Sequence, residues 1–175
     1  MLKANFITAQ EAAEKIQDGS TLCTIGMTLV SASESILKAI EKRFETVGHP
    51  ADITLVHSCG QSDRKDGIQH LAHEGLVKRI VGSHWGLQPR WMEMIANSQV
   101  EAYCLPQGQI AQLYRSMACG LPGKMSKVGL GTFIDPRVEG GKMNDRTKPL
   151  PDIWIFSNMA EKSTCFIKRS RLILF

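Results

Sequence analysis

Residues 77–110 read VKRIVGSHWGLQPRWMEMIANSQVEAYCLPQGQI: two short apolar runs, VKRIVG (77–82) and VEAYCL (100–105), flank a helix-like stretch, LQPRWMEMIANS (87–98). Strand, helix and strand at this spacing form a crossover unit, which joins parallel neighbours in a sheet. The alternation continues in both directions. Upstream, TLCTIG (21–26) and ITLVH (53–57) read as strands, and between them Ile36, Leu37, Ile40 and Phe44 recur on one helical face before Gly48-His49-Pro50 ends the run. A capping-box pattern, Thr8 with Glu11, opens a short first helix that Gly19 closes. A second box, Ser31 with Glu34, is expected to open the next. IQHLAHEGL (68–76) reads as a short helix, and QGQIAQLYRSMACG (107–120) as a longer one with Ile110, Leu113, Tyr114 and Met117 on a common face. The fold class is therefore α/β, a mostly parallel sheet with helices on both faces.

In such sheets ligands bind beyond the carboxyl ends of the strands. Three corners fall there: Gly26-Met27-Thr28, Gly82-Ser83-His84-Trp85-Gly86 and Pro106-Gln107-Gly108. They are expected to line one pocket. His84 and Trp85 read equally as an acid with a stacking platform or as turn residues.

With 175 residues, 43% hydrophobic and 22% charged, the chain suits one soluble domain. No apolar run approaches the length of a membrane helix, and MLKANFITAQEAAEKI lacks a secretory h-region, so the cytoplasm is the expected compartment. Cys23, Cys59, Cys104, Cys119 and Cys165 are odd in number, scattered and without C-x-x-C; they read as reduced thiols. The net charge of +4 is mild and marks no nucleic-acid surface; Lys124, Lys127, Lys142 and Lys148 read as a solvated face.

Catalytic motifs are sparse. Gly129-Leu130-Gly131-Thr132 is not G-x-G-x-x-G, so a dinucleotide cofactor is not expected. His70 and His73 stand three apart beside Glu74 without H-E-x-x-H or a third ligand at useful spacing; they read as two exposed histidines, and no metal is expected. No G-x-S-x-G elbow presents a serine nucleophile.

Three stretches taken together, AHEGLVKRIVGSHWGLQPR (72–90), LPQGQIAQLYR (105–115) and VGLGTFIDPRVEGGKMNDRT (128–147), resemble the amino-terminal half of family I CoA-transferases. The likeness is to the fused single-chain members related to acetate and propionate CoA-transferases, which also act on short 3-oxoacids, and it spans residues 7–148. What it implies is transfer of CoA from an acyl-CoA to a carboxylate through a glutamyl-CoA intermediate. CoA is then a substrate, with no permanently bound cofactor. The resemblance places the Pro-Gln-Gly glutamine, here Gln107, near the thioester or carboxylate oxygen. Beside it, Gly108, Gly26, Trp85 and Gly86 are the expected substrate-binding positions. None of the glutamates present stands in the nucleophile motif, which these enzymes carry in their second half, so no catalytic residue is assigned here.

The resemblance also shows departures. In GMTLVSASESIL (26–37), Thr28, Ser31, Ser33 and Ser35 stand where Gly, Gly, Pro and Asn are common in the family. After Lys148 the likeness is expected to stop. Residues 1–148 read as an incomplete α/β domain and 149–175 as a divergent tail, expected to be a shifted reading frame. The chain then reads as an amino-terminal fragment, inactive alone. It reads alternatively as an α-type subunit needing a β-type partner, or as a non-catalytic acyl-CoA binding module. Homo-oligomers are expected from the family.

Overall fold

A computed structural model describes residues 6–159, 162–168 and 173–174, with side-chain packing as far as Ile153. Its elements in chain order are α1 (Ala9–Glu14), β1 (Thr21–Thr24), α2 (Glu34–Val47), β2 (Ile53–His57), a 3-10 turn (Gly67–Leu71), β3 (Val77–Gly82), α3 (Pro89–Ala96), β4 (Glu101–Cys104), α4 (Gln107–Ala118) and β5 (Gly123–Ser126). Backbone strands β6 (Trp154–Met159), β7 (Lys162–Lys168) and β8 (Ile173–Leu174) follow.

Strands β4, β3, β2, β1 and β8 lie side by side in that order, each parallel to its neighbour. This is the expected α/β class. The two-residue periodicity of the strands sorts their side chains onto two faces. Leu22, Leu55, Ile80 and Ala102 point into one core, where Leu37 and Ile40 of α2, Leu71 of the 3-10 turn, and Trp91 and Ile95 of α3 cover them. Their neighbours Cys23, Val56, Val81 and Tyr103 point the other way, under Ile110 and Leu113 of α4.

The distribution of helices follows from strand order. Steps from β1 to β2 to β3 to β4 all go in one direction, so connections of a single hand place their helices on one face. Among the described helices, α4, after the last of these strands, is the one that returns along the other.

Several local expectations are corrected. The Thr8–Glu11 box is present, but α1 ends at Glu14 with Lys15 as its cap, and Gly19 turns the chain after it. Arg43 reaches across from α2 to donate to the carbonyls of Ala13 (2.7 Å) and Ile16 (2.8 Å), satisfying acceptors at that helix end. The Ser31–Glu34 box does not form: Ser33 caps α2 without a side-chain hydrogen bond, and the Glu34 carboxylate is turned toward the 3-10 turn. The stretch expected to be a helix at 68–76 is that 3-10 turn alone, its Trp91-facing side fixed by the indole N–H donating to Ile68 O at 2.8 Å.

The open edge of β4 is covered by residues 141–143. Cys104 N–H donates to Gly141 O (2.7 Å) and Met143 N–H to Ala102 O (3.0 Å). Next to this strap, buried Asn144 donates from Nδ2 to Ile95 O (3.0 Å) and Val100 O (2.8 Å), tying it to the α3–β4 turn. Lys142, expected on a solvated face, is 15% exposed and bonds Leu150 O (2.7 Å) and Asp152 (2.8 Å). In the tail, β7 pairs antiparallel with both β5 and β6, forming a small second sheet.

Candidate functional site at the carboxyl ends of the strands

Loops follow β1, β2, β3 and β4 at the carboxyl edge of the sheet, and the one after β2, Ser58-Cys59-Gly60-Gln61, joins its neighbours. Gly60 O accepts from Thr28 N–H of the β1 loop at 2.8 Å, and Gln61 Nε2 donates to Thr24 O at 2.8 Å. Toward the β3 loop, Ser83 Oγ donates to Ser58 O at 2.5 Å. The Gln88 amide, turned so that all its groups are satisfied, donates to His84 O (3.1 Å) and Trp85 O (3.2 Å) and accepts from Gln61 N–H (2.9 Å). Gln61 and Gln88 are fully buried, so these amides fix two corners to each other in a water-poor setting where each bond is worth more than at the surface.

The β1 loop is folded tightly on itself. Met27 and Val30 exchange backbone hydrogen bonds (3.1 and 2.9 Å), and a Cβ at Gly26 would stand 2.9 Å from Val30 O, so only glycine permits the turn. Thr28 (φ 54°) and Ser31 (φ 61°) hold left-handed backbone at the two positions where the resemblance expects glycine. The conformation is thus kept with side chains that cost about 1–2 kcal/mol each.

Under these loops lies His57, fully buried, its Nδ1–H donating to Cys59 O at 2.7 Å and its ring edge-on to Trp85 at 5.9 Å. Burial pushes its pKa down to about 4, with the charge of nearby His84 acting in the same direction against the Cys59 bond. His57 is therefore a neutral packing element. Its Nε2, like Thr24 Oγ1 and Trp85 Nε1, is buried without a hydrogen-bond partner among the described residues. Gly82 makes room for it, since a Cβ there would fall within the imidazole.

The expected site residues divide into two groups. Trp85, at 7% exposure, belongs to the main core and is a wall behind the site, not an open stacking platform. His84 is exposed, with its ring between Gly60 and Gly86, whose Cβ positions would lie 2.8 and 2.9 Å from its nitrogens. Gln107 and Gly108 are exposed in the first turn of α4, after Pro106 turns the chain with φ −60° and ψ 130°. No described residue hydrogen-bonds the Gln107 side chain, and the free N–H groups of a helix start surround it with positive potential.

Leu105 N–H donates to Gly82 O (2.8 Å), tying the Gln107 corner to the β3 loop. Gly26, however, follows β1, three strand spacings or about 14 Å from β4. The corners border one rim of the sheet.

Sequence reasoning missed His57, Gly60, Gln61 and Gln88, because nothing local marks a glutamine that bonds another loop. It also misplaced His70 and His73, which are 13% and 20% exposed and sit against Glu34 and Glu41 of α2. A cavity of about 210 Å³ between α1 and α2, lined by Ala13, Ala39, Arg43 and Val47, lies away from the strand ends. Cys23, Cys59, Cys104 and Cys119 are free thiols, and burial pushes Cys23 up to about 12; the Cys165 side chain is outside the described residues. No described helix is long and apolar enough to cross a membrane.

Comparison with known proteins identifies the architecture, for residues 6–159 match the family described as Coenzyme A transferase. The chain belongs to that family. The matched residues run past Lys148, where the likeness was expected to stop. The chain is 42% identical over 145 residues to a caffeate CoA-transferase of Acetobacterium woodii, covering 82% of this chain and 28% of that protein. An acyl-CoA transferase of Escherichia coli O157:H7, YdiF, solved as apoenzyme and as a thioester complex with CoA, superposes with a TM-score of 0.84 at 34% identity over 93% of this chain and 32% of that one. A Bacillus subtilis protein, named as one of the subunits of a probable succinyl-CoA:3-ketoacid coenzyme A transferase, is 28% identical over 80% of this chain and 56% of its own length. This CoA-transferase chain thus spans between about a quarter and about half of the relatives it matches.

Proposed function

We propose that this chain forms one wall of an acyl-CoA:carboxylate CoA-transferase site, the nucleophilic glutamate coming from outside these residues. In the reaction, a glutamate carboxylate oxygen attacks the thioester carbonyl. CoA thiolate leaves, and an acyl-glutamyl anhydride forms. The thiolate then attacks the glutamyl carbonyl, releasing the first carboxylate and leaving glutamyl-CoA, which a second carboxylate reverses. The observation that carries the reading is the exposed Gln107 amide, without a hydrogen-bond partner among the described residues, at the start of α4 on the carboxyl rim of the sheet. A neutral donor there bonds a carbonyl oxygen more strongly as attack builds charge on it, an effect of about 3 kcal/mol when aligned.

Gly108 and Gly26 let backbone approach the ligand, and Gly86 with the buried Trp85 shapes the wall beside them. The test is calorimetric titration of the chain with acetyl-CoA, and transferase assay with and without a β-type subunit. The expected result is heat of binding that Gln107→Ala weakens, no turnover alone, and turnover on mixing; full turnover by the chain alone, or binding indifferent to Gln107→Ala, overturns it. A second reading, an α-type subunit that docks a β-type partner, is supported by the match to the Bacillus subtilis protein, itself named as one subunit, of which this chain covers more than half.

A further inference from the structure

The ionic cluster between α2 and the 3-10 turn has no part in the reaction described above. His70 stands at its centre. Its Nε2 is 2.8 Å from Glu34 Oε1 and 3.4 Å from Asp66 Oδ1, while its Nδ1 lies against Glu41 Oε2. Carboxylates only accept hydrogen bonds, so both ring nitrogens must carry protons, and a neutral imidazole has only one to give. The ring is therefore an imidazolium between two carboxylates.

The charged groups around it come from three elements. From α2 come Glu34, Lys38 (3.1 Å from Glu34 and 3.4 Å from Asp66), Glu41 and Glu45, whose carboxylate lies within 4.8 Å of that of Glu41 and of the His73 ring; from the turn and its flanks, Asp66 and His73 (2.8 Å from Glu41); from α3, Arg90, 3.7 Å from Glu41. Glu34 also accepts Gly67 N–H at 3.0 Å through Oε2. Burial alone would lower the His70 pKa, but hydrogen bonds to Glu34 and Glu41 and their charges outweigh it and raise it above the ordinary value.

Glu34 is the first residue of α2, and the segment before it is the Gly26–Ser33 loop of the candidate site. Among the described residues, the loop's hydrogen bonds beyond itself are Thr28 N–H donating to Gly60 O at its tip and Ser33 O accepting from the first turn of α2, whose Glu34 is held by the 3-10 turn. We propose that His70 is a positioning residue for this loop, clasping the first turn of α2 to the 3-10 turn while protonated and releasing it when deprotonated. A ring that keeps one N–H must turn a lone pair toward one of its two carboxylates, so the clasp loses half its bonds. The sign follows from linkage: a histidine whose folded pKa is raised contributes its full stabilisation below the unfolded value, and the contribution disappears as pH rises through the folded one. The consequence for ligand binding rests on the proposed function; the clasp itself does not.

The test is nuclear magnetic resonance of the full chain between pH 5 and 9, following the histidine ring C–H signals and the backbone amides of Met27–Ser33. A His70 midpoint above the ordinary imidazole value of about 6.5, with loop amides shifting at the same midpoint, is the expected result. In Glu41→Gln both midpoints should fall together, and in His70→Gln the loop shift at that midpoint should vanish. A His70 midpoint at or below the ordinary value, or loop amides that ignore it, overturns the proposal. So does uptake of added zinc ion by Glu34, Asp66 and His70 at neutral pH that abolishes the titration. Acetyl-CoA titration over the same range should show affinity declining through the His70 midpoint. Absence of binding at every pH would sink the ligand-site reading while the ring and amide signals still decide the clasp.

Discussion

At the scale of single residues, His57 and Gly82 are one unit. His57 contributes a neutral imidazole whose Nδ1–H is used by Cys59 O and whose other edge occupies the space that a side chain at 82 would need. Its pKa, pushed down to about 4 mainly by burial, means that between pH 6.5 and about 4 the unfolded chain binds a proton that the folded chain refuses. Stability should fall across that window by about 3 kcal/mol. Urea unfolding at pH 7 and pH 4.5 checks this: His57→Leu should flatten that component of the pH dependence, and an unchanged acid slope would contradict it. Gly82→Ala should cost about 1–3 kcal/mol through overpacking, most of it recovered in the His57→Ala background. Additive losses in the double variant would show that the two do not share the space.

At the scale of elements, the parallel strands were legible because apolar runs bounded by glycine need no tertiary knowledge, and β3 spans the run 77–82 as read. Glu34 shows where such reading stops. Its spacing from Ser31 satisfied a capping box, yet Ser31 adopts a left-handed φ and the carboxylate finds a cation and an N–H on another element. His70 and His73 were unreadable for the same reason, their acidic partners lying some thirty residues upstream on α2. Of the candidate site, the corners at Gly26, Gly86 and Gln107 were visible as punctuation, but the Gln61–Gln88 amides that hold two of those corners were not. The 141–143 strap, visible only as part of a resemblance, is a structural clip that Asn144 anchors. Asn144→Ala removes the Nδ2 donor shared by two buried carbonyls and should cost about 1–3 kcal/mol. Thermal unfolding would read the loss, and hydrogen exchange at Cys104 N–H, bonded to Gly141 O, would rise with it. No change in Cys104 exchange would mean the strap does not depend on Asn144.

At the scale of the whole molecule, the carboxyl rim of the sheet presents apolar side chains to solvent. Met27 is 60% and Val30 68% exposed in the β1 loop, flanked by Ile25 and Leu29, and Val128 and Phe133 stand exposed in the segment that packs Gly129 against Pro106 of the Gln107 corner. Contiguous exposed apolar surface is what a docked partner would bury. In the proposed two-part site, the polypeptide bearing the glutamate must approach this rim, because its carboxylate has to reach a thioester held by Gln107. Adding a β-type subunit should therefore slow amide hydrogen exchange at Ile25–Val30 and Val128–Phe133, with the α1–α2 groove around Ala39 and Val47 unaffected as an internal control. Val30→Lys should weaken the association, since a desolvated ammonium with no partner replaces a buried methyl pair. If protection instead appears over the α1–α2 groove and the rim exchanges as before, the glutamate does not arrive from this side and Gln107 is not its neighbour.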